Sequence, residues 1–97
     1  MATDIIVKHR VTDFKTFKPG FDALVRQFAQ QTGAQGHHVH HELGDPNHVI
    51  VTVLGVADPD KARSLFASQD FQAEMGKIGV CSAPDITFGS RVEDVRY

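Results

Sequence analysis

At 97 residues and 41% apolar content, the chain is sized for one small domain, 1–97, near the lower limit for a self-sufficient core, so that a partner subunit would help it. A formal charge of -2, with acidic and basic residues interspersed, leaves no patch for nucleic acid, and no apolar run nears the roughly 20 residues that cross a membrane. The start Met1-Ala2-Thr3-Asp4 has neither the basic nor the apolar region of an export signal, and the lone Cys81 has no disulfide partner within the chain; both fit a cytoplasmic setting.

The first element is a strand. Over Asp4 to Val11 the residues alternate, with Ile5, Val7, His9 and Val11 on one face and Ile6, Lys8 and Arg10 on the other. Thr12 and Asp13 then offer helix caps, and Phe14, Phe17, Phe21, Leu24, Val25 and Phe28 recur at helical spacing, four phenylalanines on a stripe suited to cover a sheet. Pro19-Gly20 predicts a break, with a short turn at Phe14 to Phe17 and a regular helix from about Pro19 that ends at Gly33.

A β-hairpin follows. Two runs, His37 to Leu43 and His48 to Leu54, flank Gly44-Asp45-Pro46-Asn47, a cluster whose backbone preferences favour a turn. Alternation puts His37, Val39, His41 and Leu43 on one face of the first run and His38, His40 and Glu42 on the other. The register that best sorts apolar from polar joins Val39, Leu43, Val49, Val51 and Val53, and gathers His38, His40, Glu42 and His48 with Ile50, Thr52 and Leu54. Five of the six histidines lie on this hairpin; the sixth is His9.

Asp58-Pro59 opens a short helix with Ala62, Leu65 and Phe66 buried; Ser68 caps a second segment carrying Phe71, Met75 and Ile78; and Pro84 to Val92 reads as a last strand with Ile86, Phe88, Ser90 and Val92 on one face. The order is β-α-β-β-α-β. This predicts an α+β, ferredoxin-like domain: a four-stranded antiparallel sheet with helices on one face. Ile6, Ile50, Thr52 and Leu54 make the other face too apolar for water alone, which predicts a homodimer.

The stretches HRVTDFKTFKPGFD, GDPNHVIV and SQDFQAEMGKIGVCSAPDITF resemble the small dimeric α+β barrel proteins of the antibiotic-biosynthesis-monooxygenase-like superfamily, including members described as putative cyclases, and the resemblance spans nearly the whole chain. It implies a dimeric α/β barrel with a ligand cavity between helices and sheet in each subunit. Cofactor-free oxygenases and haem-degrading relatives commonly use a tryptophan with asparagine, histidine or tyrosine partners. Here there is no Trp, the only Tyr is Tyr97 and the only Asn is Asn47. The resemblance to polyketide-cyclase-like members implies instead a histidine acid/base, whose histidine half is available.

His9 and His38 are the candidate catalytic residues. A neutral imidazole in an apolar pocket takes a proton from a carbon acid or an enol at neutral pH; the plainer alternative for His9 is a core histidine satisfied by a backbone carbonyl. Phe17, Phe21, Phe66, Phe71 and Met75 are the candidate walls for a small apolar or aromatic ligand, with core packing as the alternative for each. Phe71 and Met75 stand out because the helix break at Ser68 lets that segment move. His38, His40 and Glu42 form an alternative metal set, two imidazoles and a carboxylate on one strand face, although a strand His-x-His is commonly a surface or interface feature. With no phosphate loop or nucleophile elbow, no cofactor is expected, and Cys81 reads as a buried, inert thiol. The expected activity is cofactor-free cyclisation or isomerisation; the alternative is a non-catalytic ligand- or metal-binding, stress-associated module.

Overall fold

The computed structural model describes residues 2–97. Its elements run β1 (Thr3–Arg10), α1 (Phe14–Thr32), β2 (Gly36–Glu42), β3 (Asp45–Leu54), α2 (Pro59–Ala67), α3 (Gln69–Lys77) and β4 (Asp85–Ser90). The four strands form one sheet in the order β2-β3-β1-β4, every neighbouring pair antiparallel. This is the ferredoxin-like α+β arrangement, with the second helical stretch split in two at Ser68, whose side chain caps α3 by accepting from the Phe71 N–H.

Alternation on β1 and β3 builds the core. Ile5 faces Val53, Val7 faces Val51 and His9 faces Val49 across the central pair, and all six are buried. Phe17, Phe21, Val25 and Phe28 of α1 close over them. Burying four phenylalanine- and valine-sized side chains at about 1.5–3 kcal/mol each gives α1 far more stabilisation from packing than its intrinsic propensity supplies.

That packing explains the first departure from the sequence reading. Instead of breaking at Pro19-Gly20, α1 is continuous from Phe14, with Asp13 as N-cap accepting from the Thr16 N–H at 3.0 Å. Pro19 removes one i→i−4 bond near the start of the helix, and the phenylalanines on either side hold the two turns together. Gly20 has a packing role: a Cβ there would lie 2.9 Å from the Ile78 Cβ, so the glycine lets the end of α3 lie against α1.

The hairpin differs too. The turn is the two residues Leu43-Gly44, with Gly44 at φ 82°, and β3 already begins at Asp45. The expected register holds over most of its length, with Val39 opposite Val51 and His38 opposite Thr52, but it shifts between His41 and Glu42. Between the His41–Val49 and Glu42–Asp45 pairs, β3 carries three residues, Pro46 to His48, with no counterpart on β2, and this ends the alternation. Leu43 therefore projects into solvent, 98% exposed, instead of joining Val39 in the core. Asn47, expected only to turn the chain, has another part: its side-chain oxygen accepts from the Phe14 N–H at 3.0 Å and so ties β3 to the start of α1. β4 is shorter than expected, and Val92 lies beyond it, exposed. Asp4, on the sheet's outer face, receives a two-pronged bond from Arg91 at 2.7 and 2.8 Å and a third from the Gly55 N–H, pinning the segment after β4 to the end of β3.

Candidate functional site

Between α1, the α2–α3 pair and the inner face of the sheet lies a hollow of about 50 Å³. His9, Phe17, Phe21, Phe66, Phe71 and Met75 all line it. Two periodicities bring them there: the alternation of β1 sends His9 inward with Val7, and the helical stripe of α1 sets Phe17 and Phe21 opposite. Leu24, Val25, Phe28 and Val51 line it as well, on the same stripe and the same strand face. The pattern that marked the core also marked these, and nothing in it separates a wall from ordinary packing.

The rings are arranged in two groups. His9 meets Phe17 edge-on with centroids 5.5 Å apart, and Phe17 stacks on Phe21 at 5.3 Å. At the other end Phe28, Phe66 and Phe71 form a triangle with centroid separations of 5.3, 5.9 and 5.6 Å. Such pairs hold ring orientations as well as apolar area.

Among the described residues His9 is the sole polar side chain on this lining, 5% exposed, and its Nδ1 is buried with no hydrogen-bonding partner among them. A buried polar atom without a partner is rare because it forfeits its bonds to water. Burial pushes the His9 pKa below its ordinary 6.5; the nearby His48 acts in the same direction, and the residue's own backbone partly opposes it. The imidazole is consequently neutral at pH 7, able to accept a proton or to share a hydrogen bond with a guest. Among the described residues neither a carboxylate nor an ammonium or guanidinium lines the hollow, so none of them would stabilise a free ion.

His38 is elsewhere. It points from the outer face of the sheet, exposed, its ring 6.2 Å from that of His40. The structure thus separates the two candidate acid/base residues by the thickness of the sheet. Glu42 does not complete a site with His38 and His40: beyond the register shift it approaches His48, with 3.4 Å between Oε1 and Nδ1. Among the described residues no group of three or more His, Cys, Asp or Glu side chains is placed to hold a metal ion. Cys81 is exposed, not buried. Its strand-end position after the Val11–Val80 bridge carries it to the surface.

No family model matches the sequence, and no curated protein matches it. Solved structures do match in fold. The cofactor-independent oxygenase SnoaB from Streptomyces nogalater superposes with a TM-score of 0.74 at 15% identity, covering 98% of this chain and 97% of that one. A Bordetella bronchiseptica protein described as a candidate antibiotic biosynthesis monooxygenase gives 0.73 at 17% identity, covering 96% and 100%. A conserved protein from Methanosarcina mazei Go1 gives 0.68 at 15% identity, covering 92% and 91%. This chain therefore has the same fold as these structures, a cofactor-independent oxygenase and a candidate antibiotic biosynthesis monooxygenase among them. No helix among the described residues is long and apolar enough to cross a membrane.

Proposed function

We propose that this chain, built on the fold it shares with the antibiotic-biosynthesis-monooxygenase-like proteins, is a small-molecule-binding domain that acts as a homodimer and uses His9 as acid/base for cofactor-free proton transfer. The observation that carries the reading is the unpartnered, buried Nδ1 of His9 beside an otherwise hydrocarbon hollow. A histidine kept only for structure would have its ring nitrogens satisfied by the protein.

The substrate is a small apolar or aromatic molecule with an acidic C–H next to a carbonyl, or an enol. The neutral imidazole takes that proton, the freed electron pair moves toward the carbonyl oxygen, and the imidazolium returns a proton to another atom of the same molecule. That sequence is an isomerisation, or an aldol-type cyclisation where the carbanion attacks a second carbonyl of the substrate. Both avoid leaving a net charge in a site that has nothing to balance one. SnoaB is a cofactor-independent oxygenase; for this chain the absence of any tryptophan favours proton transfer over oxygen chemistry. Homodimer formation is supported by the half-buried Ile6, Ile50, Thr52 and Leu54 on the sheet face that the helices leave uncovered.

Native mass spectrometry of protein purified without a histidine tag identifies the bound molecule. With a substrate in hand, His9→Ala lowers kcat by about 10²–10⁴-fold, the usual contribution of a positioned acid/base. An unchanged kcat defeats the assignment. A retained ligand that is never turned over by the wild type establishes the non-catalytic binding module instead.

A further inference from the structure

Two hollows lie against α3, and they share a wall. The inner one, of about 50 Å³, holds His9. The outer one, of about 340 Å³, lies between α3 and the connection to β4, with Gln72, Gly76, Ser82 and Pro84 on its rim. Phe66, Met75 and Val80 line both. The inner hollow is too small for an aromatic ring, since benzene occupies cavities of about 150 Å³. The outer one is within the range of ligand sites, about 300–1,000 Å³.

The three shared residues differ in freedom. Val80 is held by its bridge to Val11 and by its N–H, which donates to the Met75 carbonyl at 3.0 Å. Phe66 is fixed edge-on against Phe71 and Phe88. Met75 is unbranched, with three rotatable side-chain bonds, so it adapts to what lies beside it.

We infer that the two hollows become one binding site when the Met75 side chain turns aside, and that this site takes an uncharged, mostly apolar molecule whose narrow end reaches His9 and whose wider end presents a hydroxyl or carbonyl to Gln72 and Ser82. This rests on the reading of the His9 hollow as the ligand site. The ligand is uncharged because no Asp, Glu, Lys or Arg lines either hollow, and an unpaired ion there would lose its hydration without compensation. The polar end follows from what remains available on the rim. The Gln72 amide nitrogen donates to the Phe66 carbonyl at 3.0 Å, which leaves its side-chain oxygen as an acceptor. The Ser82 hydroxyl oxygen accepts from the Arg10 N–H at 2.8 Å, which leaves its O–H as a donor. One donor and one acceptor match a hydroxyl or carbonyl group.

The chain has two methionines, so methyl-labelled methionine gives few signals, and that of Met75 is assigned by its loss in Met75→Leu. Titration with 2-naphthol at pH 7 shifts the Met75 methyl and the His9 ring signals together and saturably, and 2-naphthalenesulfonate binds at least about tenfold more weakly. Gly76→Trp fills the outer hollow from a helical position where a Cβ meets nothing within 4 Å, and weakens 2-naphthol by about tenfold or more. Ala83→Trp on the opposite rim does the same and serves where the first variant fails to fold. Naphthol that shifts His9 with unchanged affinity in both tryptophan variants overturns the joined site and leaves the His9 reading standing. Naphthol that shifts Met75 but not His9 overturns both, as does the absence of any saturable shift. Equal affinity for the sulfonate overturns the uncharged class.

Discussion

His9 owes its chemistry to where two neighbours put it: Phe17 against its edge and Val49 across the strand pair. Because its folded pKa lies below 6.5, the unfolded chain takes up the proton first as the pH falls. Stability is therefore full above about pH 6.5 and declines as the pH drops from there toward the folded value. His9→Gln removes this component, so its Tm falls less between pH 7.5 and 5 than that of the wild type, and thermal melts across that interval check it. Asp4 runs on the other side of the scale. The Arg91 guanidinium holds its carboxyl below the ordinary 3.8, with the Gly55 N–H helping against the cost of burial. The stability it contributes is present above pH 3.8 and is lost as the pH falls through the folded value. Asp4→Asn lowers Tm at pH 7, and the gap from wild type narrows in acid. An equal gap at pH 7 and pH 2.5 would mean that the loss is not electrostatic.

At the scale of the element, α1 and α3 give a paired test. Gly→Ala inside a helix ordinarily stabilises by about 0.5–1 kcal/mol. At Gly76 a Cβ meets nothing within 4 Å, so Gly76→Ala gains that amount. At Gly20 the new carbon would press on the Ile78 Cβ at 2.9 Å, branched and close to the backbone, and overpacking of about 1–3 kcal/mol outweighs the propensity gain. Gly20→Ala is thus destabilising and Gly76→Ala stabilising. Denaturant midpoints with unchanged m-values distinguish the two signs. The same contact explains why Pro19-Gly20 signals a break in the sequence and none in the structure: the glycine serves close approach, and the proline falls where one lost hydrogen bond is tolerated.

For the whole molecule, the proposed homodimer is tested at the sheet face that the helices leave uncovered. Ile50 sits there between Lys8 on β1 and His40 on β2, and Ile6 is next to Thr52 and in line with His38. In the proposed dimer this face packs on its own copy about a two-fold axis. Ile50→Lys places a charge in the middle of that face, and the outcome expected of the proposed dimer is wild-type protein that scatters as a dimer and a variant that scatters as a monomer at micromolar concentration. Its inner-face counterpart is unaffected, so binding of 2-naphthol in the monomer shows whether each subunit holds a complete site.

The one-dimensional pattern determined most of the architecture. Period-two alternation identified the strands and their inner faces, the phenylalanine stripe identified the helix that covers them, and Gly33, Asp58 and Ser68 marked its end and the starts of the later helices, whereas its start lies at Asp13 and not at Pro19. These are local properties, written in spacing. His9, Phe17, Phe21, Phe66, Phe71 and Met75 were legible as inward-facing, but not as members of one cavity, because cavity and core share one pattern and differ only in how completely side chains fill the space. The tertiary structure alone decided that His38 lies across the sheet from His9, that the register shift between His41 and Glu42 leaves Leu43 facing outward, that Asn47 reaches the start of α1, and that no atom of the described residues satisfies the His9 Nδ1. Each of these depends on distances between residues remote in the chain, which spacing along a single strand or helix does not encode.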